Sequence, residues 1–394
     1  MNLRGASFLN FVVALFLLAG TPSASAQEEA REWDAVFERQ EGWLGADGIY
    51  SVDLGKDARN NLPSSSKVGD ALFIFSDTLA GTTTNDGREY DRVVMTNHSF
   101  GMMKDYVPSR ENVSFIWRKP GGDEESPQNV VDGHYWLQDA MCYGDQLWLT
   151  AILVGDAWKP KGIHALVFPI DADTKRPDFS RPTLQEQAPL FYDAQDKALI
   201  LGSALCDDSG DDFIYVFGYV DHPKEGSRKD LVVARAPRND FQNYPRWSFY
   251  SGGEWRGELS ALLSEDATLL KNISAEFSIS RIPAGKAKEK WLIVYTPGTI
   301  SNKIAFRVAD TPLGPFSEER VFYRSSIPNE TPGLHCYNAK AHPIFASEKG
   351  ILVSYNVNRL GSLPRNPYEY RPRFVWLSWE TIDQEAPSAT SREP

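Results

Sequence analysis

Five short hydrophobic stretches rich in aromatic residues recur along the chain, and each has the pattern of a buried β-strand. They read ALFIFSD, QLWLTAI, FIYVFGY, KWLIVYT and GILVSYN, and they begin near Ala71, Gln146, Phe213, Lys290 and Gly350. Each follows a strand with polar residues at its tip: GADGIYSV, WLQDAMCY, GSALCD, SAEFSISR and YNAKAHPI. Five such hairpins predict an all-β chain that folds as a five-bladed β-propeller, whose first strands line a central channel.

Helical periodicity is nearly absent. The best helical window runs from Ser260 to Lys271, and we interpret it as a connection between blades. A weaker pattern from Glu29 to Arg39 indicates either a short helix or a strand that closes the structure. Both windows are short, so the all-β prediction stands.

The N-terminus has the pattern of a secretory signal peptide spanning residues 1–26. Arg4 precedes an apolar run from Phe8 to Gly20, and the small residues Ala24-Ser25-Ala26 form a cleavage site. We expect residues 27–383 to form one propeller domain and the polar residues 384–394 to be a disordered tail. No later apolar run is long enough for a membrane helix, so we expect a secreted or periplasmic protein that does not bind membranes.

The charge balance restricts the partners. The chain carries a net charge of −12, and removal of the signal peptide, with its Arg4, makes the mature protein more acidic still. This net negative charge disfavours nucleic acid and polyanionic substrates, which a broad basic surface would hold. A carbohydrate of low charge fits better, and we expect the protein to be a monomer.

Three cysteines, Cys142, Cys206 and Cys336, lie at or beside predicted first strands. Their odd number and their spacing match neither a disulfide framework nor a zinc motif. We interpret them as buried free thiols that pack as small hydrophobic side chains.

Four carboxylates are predicted to meet at the channel. Because the second strand of a hairpin runs back antiparallel, its end lies beside the start of the first strand. This places Asp47 of GADG beside Asp77 at the end of ALFIFSD. Asp139 in the second blade lies at the level of Asp47, and Glu276 in the fourth blade completes the set.

Such a cluster suits the hydrolysis of a glycosidic bond, which needs one protonated and one ionised carboxyl group. Crowded carboxylates in a partly desolvated channel raise one pKa while another group stays ionised. The sequence therefore predicts Asp47 and Asp77 as the catalytic pair, with Glu276 and Asp139 in catalytic or orienting roles.

Each carboxylate also has a structural interpretation. Asp47 precedes Gly48, and Asp-Gly is a turn signal. Asp77 stands at a strand end, where aspartate often caps a turn. Asp139 could likewise be a turn residue, with Gln138 as its functional neighbour. Glu276 lies within an alternating apolar strand, where an inward charge is costly unless it is paired or functional.

The fifth blade contributes a basic and polar set. His335, Tyr337, Asn338, Lys340 and His342 lie in LHCYNAKAHP, and strand alternation puts Asn338, Lys340 and His342 on one face. We expect Lys340 to pair with the carboxylates and His342 to bind substrate or a cation, the alternative being a hydrogen-bonded channel lining. No organic cofactor is indicated, although a carboxylate-rich channel would suit Ca²⁺ or another hard cation.

Most of the tryptophan and tyrosine residues are expected to pack between blades. Trp43, Tyr135, Trp136 and Tyr337 lie near the predicted channel mouth. Their rings could stack on the apolar C–H faces of sugars, so we count Trp43, Trp136 and Tyr337 as candidate substrate-binding residues together with Gln138, Asn338, Lys340 and His342.

The motifs GWLGADGIYSV, ALFIFSDT, YWLQDA, AEFSISR and YNAKAHP, in this order, resemble the bacterial family called domain of unknown function 4185 and its relatives. That group includes endo-D-arabinanases, and the resemblance implies a five-bladed propeller with glycosidase-like architecture. The family's acidic positions in GADG and FxDT fall on Asp47 and Asp77, and its further acidic positions on Asp139 and Glu276. Ser76 replaces a glycine common in the relatives, and the loop between the two motifs is longer.

Three functions are consistent with these features. The first is a secreted glycoside hydrolase acting on a polysaccharide or oligosaccharide, with arabinofuranose as one candidate sugar. The second is a non-catalytic glycan-binding propeller, whose acidic residues would hydrogen-bond sugar hydroxyls. The third, a protein-interaction scaffold, would require a large apolar patch on the outer surface.

Overall fold

A computed structural model describes residues 28–59, 69–118, 130–194, 196–226, 228–359 and 364–385, without the side chains of residues 328 and 329. The predicted signal peptide and most of the NNLPSSSKVG loop therefore lie outside the described residues. In the described part of the chain the strands are β1 Glu41–Ala46, β2 Tyr50–Asp53, β3 Asp70–Phe75, β4 Thr78–Thr83, β5 Tyr90–Thr96, β6 Ser99–Lys104, β7 Val113–Ile116, β8 Tyr135–Tyr143, β9 Gln146–Val154, β10 Pro160–Pro169, β11 Thr183–Gln185, β12 Phe191–Asp193, β13 Ala198–Cys206, β14 Phe213–His222, β15 Arg228–Pro237, β16 Ser248–Ser251, β17 Glu254–Arg256, β18 Phe277–Arg281, β19 Trp291–Tyr295, β20 Lys303–Ala309, β21 Arg320–Arg324, β22 Leu334–Ser347, β23 Gly350–Arg359 and β24 Arg373–Leu377.

Helices are few and short, which confirms the all-β prediction. The described α-helices are α1 Arg31–Val36, α2 Ile327–Glu330 and α3 Trp379–Glu385. The window at 260–271 forms only 3₁₀ turns. Gln384 and Glu385, which the sequence assigned to the tail, are instead the last two residues of helix α3, and Arg320 contacts both side chains; residues 386–394 lie outside the described residues. No helix in the described ranges is long and apolar enough to cross a membrane.

The five hydrophobic stretches form β3, β9, β14, β19 and β23, each paired antiparallel with the strand predicted before it. Neighbouring strands form sheets in the orders β2-β3-β6-β7, β11-β10-β9-β8, β12-β13-β14-β15-β16-β17, β18-β19-β20-β21, β22-β23-β24 and β1-β4-β5. We call β2, β8, β13, β18 and β22 the inner strands. Each contacts the next, and β22 contacts β2, so the inner strands form a closed ring.

The first hairpin differs from the prediction. GADGIYSV was expected to be one strand, but it divides between β1 and β2, which belong to different sheets. Gly48 and Ile49 have positive φ angles of 87° and 26°, and these conformations break the strand. The next strands change sheets at the same level. Strand β3 ends just before β4 begins in the other sheet, and β5 ends just before β6 begins in the sheet of β3.

Large apolar side chains fill the spaces between sheets. Trp148 of β9 packs edge-on against Phe241, with ring centroids 4.9 Å apart, and also contacts Trp247. Burial of each such ring stabilises the fold by roughly 1.5–3 kcal/mol. The three cysteines are buried and free, as predicted.

The two ends of the described chain meet at β24. The backbone N–H of Trp376 donates to the Glu28 carbonyl, and that of Ala30 donates to the Phe374 carbonyl. Helix α1 then packs on β24. The Glu29 to Arg39 segment therefore provides both features that its sequence indicated, a closing pairing followed by a short helix.

Candidate active site

A cavity of about 440 Å³ lies where the inner strands begin. Its wall includes Asp47, Asp77, Trp136, Gln138, Glu276, Tyr337 and Asn338. We call it the acidic cavity. Residues from five separate parts of the sequence therefore converge, as the channel prediction requires.

Asp47 and Asp77 are neighbours because their strands change sheets at the same level. The Asp47 N–H donates to the Asp77 carbonyl at 3.2 Å, and the Ser76 N–H donates to the Asp47 carbonyl at 2.9 Å. Gly48 is needed for the turn, since a Cβ there would lie 2.7 Å from the Ser76 nitrogen. The Asp-Gly turn is thus real, and it is also what presents the Asp47 carboxylate to the cavity.

The Asp77 carboxylate accepts a hydrogen bond from the indole N–H of Trp136, at 3.2 Å between Nε1 and Oδ1. Burial raises the pKa of Asp77 to about 6, and the Trp136 hydrogen bond opposes this shift. A donor that favours the charged form is what an ionised carboxylate at neutral pH requires.

The Asp47 carboxylate is affected by two other negative groups as well as by burial. Burial raises the pKa of Asp47 well above its usual value, and the negative charges of Asp77 and Glu276 raise it further. The Tyr337 hydroxyl donates to Asp47 Oδ2 at 2.9 Å and partly opposes the shift. The pKa of Asp47 is therefore raised more strongly than the pKa of Asp77. Such a difference suits Asp47 to act as an acid and Asp77 to act as a base or nucleophile.

Glu276 is held by a buried lysine, as the sequence predicted. Lys340 Nζ lies 3.0 Å from Glu276 Oε1 and 4.3 Å from the centre of the Tyr50 ring. Burial lowers the pKa of Lys340, and the nearby carboxylates, Glu276 first, oppose that shift. A buried pair of this kind is costly to break, because each partner would become an uncompensated charge.

Asp139 and His342 lie in a different place from the one expected. They line a second cavity of about 270 Å³, which we call the opposite cavity, together with Lys340 and the later residues of the inner strands. A β-strand rises about 3.3 Å per residue, so four residues along β22 from Asn338 to His342 carry the chain roughly 13 Å through the channel. Side chains on the same face of β22 therefore lie at different depths in the channel.

Both residues are held by hydrogen bonds there. Asp139 accepts from the backbone N–H groups of Ala140 and Leu205, at 2.9 and 2.8 Å. Burial raises the pKa of Asp139 to about 7, against these hydrogen bonds. The ring nitrogens of His342 each lie 2.8 Å from a serine hydroxyl, Ser51 or Ser354. Burial lowers the pKa of His342 to about 3, so it is neutral and buried in the opposite cavity.

Irregularities in three inner strands place the polar side chains of the acidic cavity. Pairing shifts between residues 137 and 140, between 201 and 204, and between 337 and 340. Bulges of this kind redirect side chains beside functional sites. At the first of these bulges, the side-chain amide of Gln138 donates to the Ser203 hydroxyl at 3.1 Å, and Gln138 Oε1 has no hydrogen-bond partner. At the third, Asn338 has a φ of 58°. The sequence analysis did not identify the Ser203 contact. The neighbouring Gly202 could have indicated an unusual backbone there, and its φ is indeed 95°.

The aromatic residues predicted to bind sugar lie in two different environments. Trp43 is buried in the core, with its ring stacked 4.3 Å from Phe115 and its N–H bonded to Ser99, so its proposed role in sugar stacking is withdrawn. Trp136 and Tyr337 do line the acidic cavity. Sequence reasoning also missed Trp158, which is 61% exposed.

Trp158 stacks parallel to Trp136, at 6.0 Å between ring centroids and an interplanar angle of 2°. Ala157 and Trp158 both have left-handed backbone conformations, with φ angles of 53° and 61°. Each costs roughly 1–2 kcal/mol for a residue with a side chain. Strain of this kind persists where the surrounding structure imposes it, and it concentrates at functional sites.

No metal site is evident among the described residues, where no group of three or more His, Cys, Asp or Glu side chains is placed to hold an ion. The carboxylates of Asp139 and Glu276 are occupied by backbone N–H groups and by Lys340.

One solved structure with a similar fold supports the architecture. A proposed hydrolase from Bacteroides ovatus superposes with a TM-score of 0.68 at 17% identity, covering 93% of this chain and 96% of that one. Levansucrase from Bacillus subtilis gives 0.46 at 10% identity, covering 89% and 88%. An exo-β-1,3-galactanase from Phanerochaete chrysosporium gives 0.41 at 12% identity, covering 84% and 60%. The latter two scores are too low to support an argument.

No curated protein sequence matches the chain. Residues 30–379 match the sequence model of a family described as domain of unknown function DUF5005. This is not the family that the short motifs indicated, although both are families of unknown function. The match covers most of the sequence, and the chain therefore belongs to the DUF5005 family.

Proposed function

We propose that this protein is a glycoside hydrolase and that Asp47 and Asp77 are its catalytic pair. The observation that carries the proposal is the pairing itself: two backbone-linked aspartates share one cavity, and their pKa values are raised to different extents. In this proposal Asp47, whose pKa is raised well above its usual value, is the protonated member of the pair, and Asp77, with a pKa of about 6, is the ionised member. These are the two states that cleavage of a glycosidic bond needs.

In this mechanism Asp47 protonates the departing glycosidic oxygen. Asp77 acts at the anomeric carbon, either as the nucleophile or as the base that activates water. Trp136 positions Asp77 through its indole N–H, and Tyr337, together with Tyr370, positions Asp47 through its hydroxyl. Glu276, paired with Lys340, remains as a negative group that orients substrate hydroxyls and raises the Asp47 pKa.

The fold and the location form part of the same proposal. The closed ring of inner strands supports a five-bladed β-propeller formed by residues 27–383. The N-terminal pattern supports export with cleavage after Ala26. N-terminal sequencing of protein recovered outside the cytoplasm would test the second point, with Gln27 as the expected first residue.

The substrate that we propose is a polysaccharide or oligosaccharide, with arabinofuranose-containing polymers tested first. Purified mature protein is incubated with arabinans, arabinogalactan, fructans and other polysaccharides, and reducing ends are measured. The expected result is release from at least one polymer, with release abolished in Asp47→Asn and Asp77→Asn. Asp91→Asn is the matched control, because Asp91 is exposed on β5, outside the cavity.

Two further measurements separate the roles. Aryl glycosides with good leaving groups need little acid assistance, so Asp47→Asn should lose less activity on them than on polysaccharide. Asp77→Gly should be rescued by azide, which replaces the missing carboxylate. Binding to a polymer without any release would instead favour the glycan-binding propeller, and the hydrolase proposal would then be wrong.

A further inference from the structure

Trp158 is the most exposed large hydrophobic side chain among the described residues, at 61%. Its ring lies parallel to that of Trp136, and His134 contacts both rings edge-on, at 5.5 and 6.1 Å. Trp136 in turn donates to Asp77. A continuous aromatic surface therefore runs from the proposed catalytic carboxylate outward to solvent.

The loop holds Trp158 at the rim of the acidic cavity. The Gly155 N–H donates to the Lys159 carbonyl at 2.8 Å and closes the loop. Pro160, two residues after Trp158, belongs to the cavity wall, as does Trp136 beside it. Both left-handed residues lie inside this closed loop, which presents a large apolar ring to water instead of burying it.

The charges of the cavity indicate the chemistry of its ligand. Lys229 lies 3.5 Å from Asp221, and Lys340 pairs with Glu276. Both lysines are thus already matched to carboxylates, while Asp77 ionises near neutral pH. A sugar that carries a carboxylate or sulfate would meet net repulsion, and a neutral sugar would not.

We propose that Trp158 and Trp136 form a stacking platform for a second, neutral sugar unit, adjacent to the unit whose bond is cleaved at Asp77. This rests on the proposed hydrolase function and extends it: the site engages at least two neighbouring units of an uncharged chain. Aromatic rings bind sugars through their apolar C–H faces, and removal of such a large contact surface weakens binding. The effect of Trp158 must therefore grow with the length of the substrate.

The test compares Trp158→Ala and Trp158→Phe on one series of neutral oligosaccharides of increasing length and on the matching aryl monoglycoside. In Trp158→Ala the value of kcat/KM should fall by about tenfold or more for the longer chains, with the smallest loss on the monoglycoside. Trp158→Phe should retain most of the activity. Tyr192→Ala is the control, because Tyr192 is 44% exposed on β12 and lies outside both cavities.

Binding provides a readout that does not depend on turnover. In the Asp77→Asn background, calorimetric titration with the longest oligosaccharide should show weaker binding when Trp158 becomes alanine. An equal loss at every chain length, or no loss, with the unaltered enzyme active, would overturn the platform and leave the hydrolase proposal standing. A protein that binds through Trp158 but releases nothing would leave the platform and overturn the hydrolase. Neither release nor binding would overturn both.

Discussion

The two ends of the channel contain the same kinds of residues under different constraints. In the acidic cavity, Asp47 and Asp77 are held by side chains: Asp47 accepts from the Tyr337 hydroxyl, with Tyr370 also in contact, and Asp77 accepts from the Trp136 indole. In the opposite cavity, Asp139 receives two backbone N–H groups, and each His342 nitrogen is matched to a serine. Burial raises the carboxyl pKa values at both ends, so a raised pKa alone does not identify a catalytic group. What distinguishes them is which groups keep bonding capacity for a substrate.

The largest effect should be on catalysis at the acidic end. Asp47→Asn and Asp77→Asn should each lower kcat/KM by about 10²–10⁴ on a polysaccharide substrate, because each removes acid, base or nucleophilic assistance. Neither change should lower Tm, since the amide is nearly isosteric and relieves like-charge repulsion. Initial rates and thermal unfolding of the same preparations would check both points. A variant that lost Tm in parallel with activity would contradict the assignment.

The next effect concerns Lys340, which lies between the two ends. Lys340→Met should lower the free energy of unfolding by about 3 kcal/mol, because Glu276 would then be a buried charge without its partner. Adding Glu276→Gln should recover much of that loss. Denaturant unfolding of the two single variants and the double variant measures the coupling, and additive losses would rule out a paired interaction.

A smaller loss is expected at the opposite end. Asp139→Asn should lower the free energy of unfolding by about 1–3 kcal/mol, because an amide cannot accept from both the Ala140 and the Leu205 N–H groups and leaves one unpaired. Activity should change less than in Asp77→Asn. If Asp139→Asn instead abolished activity at unchanged Tm, the opposite cavity would belong to the catalytic site.

The pH dependence of the free energy of unfolding should show the contribution of Asp77. The folded pKa of Asp77 is about 6, above its ordinary value of 3.8, so the folded state holds this proton more tightly. The resulting stabilisation is complete below about pH 4 and is lost as the pH rises through 6, with a total of roughly 2–3 kcal/mol. Asp77→Asn should make the slope shallower by the Asp77 contribution, while the raised pKa values of Asp47 and Asp139 keep the remainder. Unfolding free energies at pH 4, 6 and 8 check it, and an unchanged slope would contradict the raised pKa.

The smallest effect tests the withdrawn role of Trp43. Trp43→Phe keeps the ring contact with Phe115 and loses the hydrogen bond to Ser99, so the free energy of unfolding should fall by about 1 kcal/mol. Activity on every substrate should remain close to that of the unaltered protein. A rise in KM on oligosaccharides, without a loss of Tm, would return Trp43 to the substrate site.

The sequence predicted those features that depend on short-range pattern and antiparallel pairing. The five hydrophobic strands, the contact between Asp47 and Asp77 and the pairing of Lys340 with a carboxylate all followed from these rules. The depth of a residue in the channel did not, because it depends on where each strand begins and on bulges that no hydrophobic pattern reveals. Asp139 and His342 were therefore placed at the wrong end. Trp158 was missed because its exposure results from a left-handed loop without glycine at positions 157 and 158.

The pairing of Glu28 and Ala30 with β24 has a consequence for how the chain reaches its native state. Glu28 and Ala30 are synthesised early but pair with β24, which is synthesised late. The ring therefore cannot close until nearly all of the described strands have been synthesised. Contacts between such distant positions slow folding, because the cost in chain entropy is met before most native contacts form. Until then the chain has unpaired strand edges, and removal of residues 28–30 would leave β24 as an exposed edge prone to aggregation.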